Sequence, residues 1–333
     1  MKMHEGFTVV IAGLAILLFP SISRAGDALM GNNASEATHV VVDQSGNGDF
    51  RRIQDAIDAI PSSNSQQVFI SIKPGTYREK IVVPENKPFI TLSGTKSSNT
   101  IITWSDGSGD IFNSPTVSIL ASGFVGRDLT IQNTFGVGER AVALRVAGDQ
   151  VAFYRCRILS YQDTLLDDAG RHYYKNCYIE GGTDFICGDA ASLFENCHVH
   201  SISQENGSIT AQHRQSGTDN TGYVFLGCKI TGVKSAFLGR PWGDYSRVVF
   251  ALSYLSPAIL PQGWDEWNDQ KKHSNVYYGE YKCSGPGANR SERVDWSRSL
   301  SDGEAAPFLT KDLIGGQDWL TRKPTTPFGR GSP

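Results

Sequence analysis

Short apolar runs separated by turn residues fill the chain from Val68 onward. Four of them are Val68-Phe69-Ile70-Ser71-Ile72, Ile81-Val82-Val83, Phe89-Ile90-Thr91-Leu92 and Thr100-Ile101-Ile102. Runs of this length that are rich in β-branched residues and bounded by Gly, Asn and Pro are typical of β-strands. Because long amphipathic helices do not alternate with these runs, the pattern disfavours an α/β sheet and predicts an all-β chain.

A unit of similar sequence recurs in the middle of the chain. It consists of an aromatic or apolar run, a turn-like pair, usually a Cys, and an apolar finish, and its copies cover residues 124–131, 153–158, 174–179, 194–199 and 225–230. Equivalent positions are 28, 21, 20 and 31 residues apart. Such repetition is typical of a solenoid whose coils stack and whose loops vary in length on one face. We therefore predict a single-stranded parallel β-helix.

Two short segments are predicted to cover this solenoid. The apolar residues within 53–60 have helical spacing and precede Pro61, which predicts a helix that caps the N-terminal end of the stack. Residues 309–320 are partly amphipathic, and we expect them to pack on the side of the solenoid. Because no linker divides the chain, residues 37–322 are predicted to be one domain, followed by a C-terminal tail at 323–333.

The N-terminus has the features of a secretory signal peptide over residues 1–25. Lys2 supplies a positive start, residues 7–19 form an apolar run, and Ser23-Arg24-Ala25 offers small residues at a cleavage site. The apolar run is too short to span a membrane comfortably. The small and polar residues 26–36 are predicted to be a flexible N-terminus of the mature protein.

Composition supports an exported protein and disfavours one class of partner. The 333 residues carry a formal net charge of −3, which argues against a nucleic-acid binder because such proteins need a basic face. Export permits disulfides among the six cysteines. Asn-X-Ser sequons at Asn33, Asn206 and Asn289 fit a glycosylated secreted protein.

Two aspartates in apolar and aromatic surroundings are the main candidates for chemistry. Asp163 and Asp184 lie 21 residues apart, and Cys156 and Cys177 lie the same distance apart. In a solenoid with this period, the two carboxylates would be neighbours on one face. A close pair of carboxylates in a hydrophobic site can act as one acid and one base.

Three kinds of chemistry remain open for this pair at this stage. A metal site would need more ligands; Asp167, Asp168 and His172 are available, but they show no recognisable ligand spacing. A glycosidase also uses two carboxylates. Nucleophilic acyl transfer needs a nucleophile, an acid or base and a donor to the oxyanion, and Gln162 beside Asp163 is a suitable neutral donor.

The pentapeptide Leu238-Gly239-Arg240-Pro241-Trp242 adds two candidates. Arg240 can clamp a carboxylate through two hydrogen bonds and keep it ionised. Trp242 presents a flat apolar face that suits a sugar ring. The competing interpretations are a surface ion pair for Arg240 and a core position for Trp242.

Five motifs in order resemble those of the plant pectin methylesterases (pectinesterases), which are carbohydrate esterases built as right-handed parallel β-helices. They are Gly75-Thr76-Tyr77-Arg78-Glu79, Ala141-Val142-Ala143-Leu144-Arg145, Tyr161-Gln162-Asp163-Thr164-Leu165, Asp184-Phe185-Ile186-Cys187-Gly188 and the pentapeptide around Arg240. One such motif would be weak, but five in order are specific. The resemblance runs from about Val40 to Leu320 and implies an all-β, right-handed parallel β-helix.

The resemblance also implies a role for each site residue. Asp184 would be the nucleophile, and Asp163 the general acid and then the general base. Gln162 would donate to the oxyanion. Arg240 would hold Asp184 ionised, and Trp242 and Phe185 would line the sugar subsite. Neither a metal nor an organic cofactor is implied.

Two positions depart from the family pattern. The family usually has Gln where this chain has Arg140, as a second donor to the oxyanion, and tends to have Thr where this chain has Asp110. Arg140 would either point at the ester oxygen or fold back onto Glu139 or a substrate carboxylate. Because of this residue, a homologue that binds pectin without turnover is one alternative; a glycosidase or lyase on the same fold is another.

The implied substrate is methyl-esterified homogalacturonan of the cell wall, with a proteinaceous pectinesterase inhibitor as a second partner. We expect a secreted monomer without the inhibitor-like pro-region of many family members and without nucleic-acid or membrane binding. The resemblance further implies a disulfide between Cys197 and Cys228, which occupy the same position of successive repeats. Cys156 and Cys177 are expected to be free thiols in the interior.

Overall fold

Residues 37–320 are described by the computed structural model of the chain. Within them, three parallel sheets wind around one apolar interior. The predicted signal peptide, the predicted flexible segment 26–36 with its sequon at Asn33, and the predicted tail at 323–333 lie outside the described residues.

Sheets A, B and C are the three faces of the solenoid. In the described residues, sheet A contains eleven strands: β1 (Thr38–Val42), β2 (Val68–Ile72), β5 (Ile90–Ser93), β8 (Val125–Arg127), β11 (Val151–Tyr154), β14 (Arg171–Lys175), β17 (Ala191–Glu195), β20 (Gly222–Leu226), β23 (Arg247–Ala251), β25 (Tyr277–Tyr281) and β26 (Arg298–Ser299). Sheet B contains β3 (Gly75–Arg78), β6 (Thr100–Trp104), β9 (Thr130–Asn133), β12 (Arg157–Leu159), β15 (Tyr178–Gly181), β18 (His198–Ser201), β21 (Lys229–Gly232) and β24 (Tyr254–Leu255). Sheet C contains β4 (Ile81–Val83), β7 (Val117–Ile119), β10 (Leu144–Val146), β13 (Leu165–Asp167), β16 (Ile186–Gly188), β19 (Gly207–Gln212) and β22 (Ala236–Pro241).

From β2 to β22 the chain visits the three sheets in turn, so each of these coils contributes one strand to each sheet. The strands β11, β12 and β13 form one such coil, and β14, β15 and β16 form the next. Equivalent residues of successive coils stack on one another: the rings of Phe153, Tyr174, Phe194, Phe225 and Phe250 form a buried column with centroids 5.5, 4.7, 4.6 and 4.5 Å apart. The predicted parallel β-helix is confirmed.

The turn between sheets A and B is the most regular part of each coil. Its central residue has a left-handed backbone, with φ near 53° at Arg155, Asn176 and Asn196. Non-glycine residues adopt this conformation only rarely, and Asn is among the most tolerant. The turn places the following residue inside the solenoid, which explains why the sequence unit repeats a Cys at this point.

The prediction of a Cys197–Cys228 disulfide is wrong for this structure, in which all six cysteines are free thiols. The two residues do occupy equivalent positions of successive coils. Each sulfur, however, is directed at a backbone carbonyl of the preceding coil: Cys197 Sγ lies 3.4 Å from the oxygen of Tyr174, and Cys228 Sγ lies 3.2 Å from that of Phe194. Cys156 and Cys177 are buried free thiols, as expected.

The predicted N-terminal helix is α1 (Ile53–Asp58), which buries Ile53, Ala56 and Ile57 against the end of the stack. It lies beside β1, the terminal strand of sheet A, and β4. Both of its ends are capped from a distance. The buried Glu79 accepts from the backbone N–H of Ile53 and Gln54 at 3.0 and 3.1 Å, and Lys87 Nζ donates to the carbonyls of Ile57 and Asp58 at 2.9 and 2.8 Å.

The C-terminal segment packs on the outer face of sheet A, as predicted. It contains α2 (Asp302–Ala305), α3 (Gly316–Trp319) and the short 3-10 helices Ala306–Phe308 and Asp312–Ile314; further 3-10 helices are Gln270–Ser274 and Pro286–Ala288. Its buried residues, such as Ile314, join the sheet residues Tyr173, Leu193 and Val249 in one apolar cluster. In residues 37–320, none of the helices has the length and apolar character needed to cross a bilayer.

Candidate active site

A cleft of about 310 Å³ lies on the outer face of sheet C. Six of the predicted site residues line it: Arg140, Gln162, Asp163, Asp184, Arg240 and Trp242. They come from four different coils and from segments up to about 100 residues apart. Stacking of the coils therefore brings together residues that are far apart in the sequence, and only the sequence repeat predicts that they are neighbours.

The two aspartates occupy equivalent positions of adjacent coils. Gln162 pairs with Thr183, and Leu165 pairs with Ile186, so the 21-residue register extends across Asp163 and Asp184. Neighbouring strands lie about 4.8 Å apart, which places the two residues side by side. Both have left-handed backbones, with φ of 57° and 47°, and both side chains line the cleft just before their strands begin.

Arg240 holds Asp184 through two hydrogen bonds. Its Nε donates to Oδ1 at 2.7 Å and its Nη2 to Oδ2 at 2.5 Å. Ala211 lies between Cys187 and Arg240 in the same row of sheet C; its methyl group is small enough for the arginine to lie across it. The guanidinium also stacks on the Trp267 ring at 4.0 Å. Arg240 is thus a site residue and not a surface ion pair.

The two carboxyl groups differ in their electrostatic surroundings. Burial and the charge of Asp184 raise the pKa of Asp163 to about 7, and Arg140 and Arg240 oppose this rise. Burial also raises the pKa of Asp184, although Arg240 opposes it. The resemblance implies that Arg240 holds Asp184 ionised, but burial works against ionisation here because Asp184 is only 6% exposed. Since the bidentate bonds of Arg240 go to Asp184, Asp163 is the carboxyl with the weaker cationic partner.

Arg140 lies at one end of the cleft. Its Nε is 3.7 Å from Asp163 Oδ2, and its Nη1 donates to the carbonyl of Gly109. Among the described residues Arg140 forms no ion pair with Glu139. The predicted fold-back onto Glu139 is therefore not observed. Asp110 is exposed and accepts from the backbone N–H of Phe112 at 3.0 Å.

The prediction that Phe185 lines the sugar subsite is wrong, because its side chain is fully buried, with 0% exposure. Strand β16 begins only at Ile186, so the alternation of side chains along the strand does not extend back to Phe185. Cys187, from the same motif, lies in the cleft. It packs with Leu166 and Ala211 in a small apolar cluster that forms the floor.

Four lining residues were missed by the sequence reasoning: Ile111, Cys187, Ala211 and Trp267. Cys187 and Ala211 precede Arg240 in one row of sheet C, but the intervals between them are 24 and 29 residues, so the 21-residue period does not reveal that row. Ile111 and Trp267 come from loops between strands. No periodic signal marks such positions.

The Trp242 indole forms an exposed apolar wall of the cleft. It is 37% exposed and packs on His213, with ring centroids 4.1 Å apart. Lys272 Nζ fixes the backbone beneath it by donating to the carbonyls of Pro241 and Trp242 at 3.2 and 3.0 Å. Trp242 is therefore not a core residue.

The residues considered as metal ligands have other partners. His172 Nδ1 lies 2.6 Å from Asp167 Oδ1 in the interior, and Asp168 pairs with Arg145 at 2.8 Å. Among residues 37–320, His, Cys, Asp and Glu side chains do not form a group of three or more arranged to hold a metal ion. The cleft combines two carboxyls, an amide, two guanidiniums and apolar walls, which suits acyl transfer on a sugar.

Comparisons with known proteins agree on one family. The family model described as Pectinesterase matches residues 39–317. The Arabidopsis thaliana protein named "Putative pectinesterase 11" is 64% identical over 293 residues, covering 87% of this chain and 83% of the relative. The solved pectin methylesterase from carrot has a TM-score of 0.83 at 38% identity, covering 87% of this chain and 97% of its own. A pectin methylesterase solved in complex with a hexasaccharide has a TM-score of 0.73 at 26% identity, covering 86% and 98%.

Proposed function

Because the chain belongs to the pectinesterase family and is therefore a pectin methylesterase, we propose that it hydrolyses the methyl esters of cell-wall homogalacturonan, with Asp184 and Asp163 as its catalytic pair. The observation that carries these roles is the asymmetry of the pair. Two carboxyls stand in register on adjacent coils, and the bidentate bonds of Arg240 go to Asp184. One carboxylate is thus oriented, while the other carries a proton.

In the first half of the reaction, a carboxylate oxygen of Asp184 attacks the ester carbonyl carbon. Gln162 donates to the oxyanion that develops on the carbonyl oxygen; its side chain lines the cleft beside Asp163. The bond to the methoxy group then breaks, and Asp163 gives its proton to the leaving oxygen. Methanol departs, and an anhydride joins Asp184 to the substrate.

In the second half, water attacks the anhydride carbonyl. Asp163, now ionised, takes the proton of the water, and Asp184 leaves with its electron pair as a carboxylate again. The product is a free uronic acid, which loses its proton to the solvent and becomes a uronate. A pKa of about 7 for Asp163 suits a group that must give and then take a proton near neutral pH.

Two further residues are proposed to contact the polymer. Trp242 offers a flat, partly exposed face to a sugar ring, and Arg140 adds a cation at the other end of the cleft. One structural relative, a pectin methylesterase, was solved in complex with a hexasaccharide, which supports this proposal. No step of this reaction routes through a metal or an organic cofactor.

Secretion and glycosylation are proposed together with this substrate, which lies outside the cell. Asn206 and Asn289 are exposed, as an attached glycan requires. The signal peptide and the Asn33 sequon lie outside the described residues. We further propose that the protein acts as a monomer and that a proteinaceous pectinesterase inhibitor is one of its partners.

The decisive experiment measures methanol and polymer length in the same reaction with highly methylated pectin. A pectin methylesterase releases methanol and leaves the polymer length unchanged. Shortening of the polymer without methanol would instead indicate a glycosidase or a lyase. Binding of pectin with neither product would indicate a homologue without turnover.

A further inference from the structure

Three arginines stand along this part of sheet C, and two of them are fully engaged. Arg240 is held by the two oxygens of Asp184. Arg145 donates through Nε and Nη2 to Asp168 at 2.9 and 2.8 Å, and its guanidinium stacks on Phe112 at 4.6 Å. Each side chain is only 24% exposed. The charge of each is therefore matched within the protein.

Arg140 differs from both in its partners and its exposure. Its side chain is 50% exposed, and its Nε stands 3.7 Å from Asp163, beyond hydrogen-bond distance. Within residues 37–320 the one hydrogen bond of its side chain goes to a neutral acceptor, the carbonyl of Gly109. Most of its five N–H donors thus remain available to a ligand. Among the arginines described in this part of sheet C, Arg140 is the one whose only carboxylate neighbour, Asp163, lies beyond hydrogen-bond distance.

The backbone of Arg140 is also held in place. Its carbonyl accepts from the N–H of Ser108 at 3.0 Å, and the next residue, Ala141, donates to Gln162 O at 3.1 Å. Arg140 therefore belongs to the coil before that of Asp163, which in turn precedes that of Asp184. At about 4.8 Å per coil, its backbone stands roughly 10 Å from Asp184 along the stack. Its side chain extends toward the catalytic pair, with Nε 3.7 Å from Asp163 Oδ2, so a ligand group that contacts Arg140 lies next to that pair.

We propose that Arg140 is a subsite for the free carboxylate of a uronate unit next to the methyl ester that is hydrolysed, so that the cleft favours polymer stretches that are already partly de-esterified. This inference rests on the proposed function. Each turnover leaves a carboxylate on the polymer, and guanidinium is the side chain best suited to bind a carboxylate through two parallel hydrogen bonds. The enzyme would thus bind its own product as part of its next substrate.

Product binding tests the subsite without turnover. Calorimetric titration of the full chain with an unesterified galacturonate oligomer gives the dissociation constant for wild type, Arg140→Gln, Arg140→Lys and Arg157→Gln. Arg157 is a matched control, because it is an exposed arginine that stacks on Tyr178 of sheet B at 4.8 Å, away from the cleft. We expect Arg140→Gln to weaken binding on the order of tenfold, Arg140→Lys to retain most of the affinity, and Arg157→Gln to match wild type.

Kinetics then separates this role from that of an oxyanion donor. For each variant, kcat/KM is measured on partly de-esterified and on highly methylated pectin, and the ratio of the two values is compared. The subsite predicts that this ratio falls about tenfold in Arg140→Gln, mainly through KM. An oxyanion donor would instead lower kcat on both substrates by roughly 10²–10³ and leave the ratio unchanged.

Three results would overturn the inference: an unchanged ratio in Arg140→Gln, unchanged product binding in that variant, or failure of the wild-type protein to bind the oligomer. Failure of the proposed function has a different signature. In that case wild type releases no methanol from either polymer, whatever its affinity for the oligomer. The binding series would still decide whether Arg140 recognises a carboxylate.

Discussion

At the scale of single residues, the site depends on two neighbouring buried carboxyls, and ionisation of both at once is unfavourable. Asp163 is 5% exposed and Asp184 6% exposed, and like charges in a poorly solvated site raise the pKa of the group with the weaker partner. Arg240 decides which group that is, because its bidentate bonds go to Asp184. The position of the Arg240 guanidinium therefore determines which aspartate is the proposed nucleophile and which is the proposed acid and base.

Replacing the proposed nucleophile should remove turnover without unfolding the protein. Asp184→Asn keeps the size of the side chain, but a neutral amide cannot form the anhydride with the substrate. We expect no methanol release above background and a thermal transition as sharp as that of wild type. Asp163→Asn should lower turnover by roughly 10²–10⁴ through loss of proton transfer. Near wild-type methanol release by Asp184→Asn would show that another residue is the nucleophile.

Asp163 should also make stability depend on pH. Its pKa is about 7 in the folded protein and about 3.9 in an unfolded chain. Between these values the folded state binds a proton that the unfolded state lacks, so stability falls as pH rises from about 4 to 7. Asp163→Asn lacks this loss and should be more stable than wild type by roughly 2–4 kcal/mol above neutral pH.

Thermal melts of wild type and Asp163→Asn between about pH 4 and pH 8 test this stability difference. The gap between the two melting temperatures should be near zero at the acid end and should widen through neutral pH. A gap that stays constant over the whole range would mean that Asp163 does not titrate in this window.

The catalytic pair could be predicted from the sequence, but its surroundings could be predicted only in part. Asp163 and Asp184 were found because a 21-residue period survives in the chain as a register between adjacent coils. Phe185 was misplaced because its strand starts one residue later, which no sequence pattern marks. Trp267 joins the site from a loop and stacks on Arg240.

At the scale of elements, helix α1 shows what spacing can and cannot predict. The apolar positions of residues 53–60 predict the helix, and its buried residues are those expected. Its capping groups come from elsewhere. Arg52 at the N-cap makes no side-chain capping hydrogen bond, while Glu79 and Lys87 reach the two ends from more than 20 residues away in the chain. Such long-range caps leave no local signature.

Removing the distant cap should destabilise the N-terminal end of the solenoid. Glu79→Ala leaves the buried N–H of Ile53 and the partly buried N–H of Gln54 without their acceptor, which costs roughly 1–3 kcal/mol. Asp55→Ala is a matched control, because Asp55 is also in the first turn of α1 but its side chain is 49% exposed; it should change stability by less than about 0.5 kcal/mol. Equal losses in the two variants, measured by chemical denaturation, would argue against the cap.

At the scale of the whole molecule, stability and chemistry are placed on different sheets. The C-terminal segment covers the outer face of sheet A with a large apolar cluster, while the cleft opens on sheet C. The sequence could not predict that the C-terminal segment packs on sheet A or that the cleft opens on sheet C. The repeat predicts stacked coils, but it does not show which sheet the C-terminal segment covers. The disulfide prediction failed as well: Cys197 and Cys228 hold equal positions in successive coils, but both are free thiols beside backbone carbonyls.

This separation predicts a variant that loses stability while its turnover is preserved. Ile314 is fully buried in the cluster on sheet A, and Ile314→Ala should cost roughly 2–5 kcal/mol. Below the melting temperature of the variant, kcat for methanol release should equal that of wild type. Leu313→Ala, at a partly buried neighbouring position, should cost less. A large fall in kcat at a temperature where the variant is folded would show that the two faces are coupled.

The register of Asp163 and Asp184 has a consequence for how such enzymes diverge. The separation of the two residues is set by the hydrogen bonds between adjacent coils, and loop insertions or changes in side-chain packing cannot alter it gradually. The pH at which the enzyme is active is therefore adjusted by substitutions of the charged and apolar residues around Asp163 and Asp184, while the spacing of the two aspartates stays constant. Position 140, where this chain has a cation 3.7 Å from Asp163, is one place where such a substitution would act. Across descendants of a common ancestor, the surroundings of the dyad should vary while its spacing stays the same.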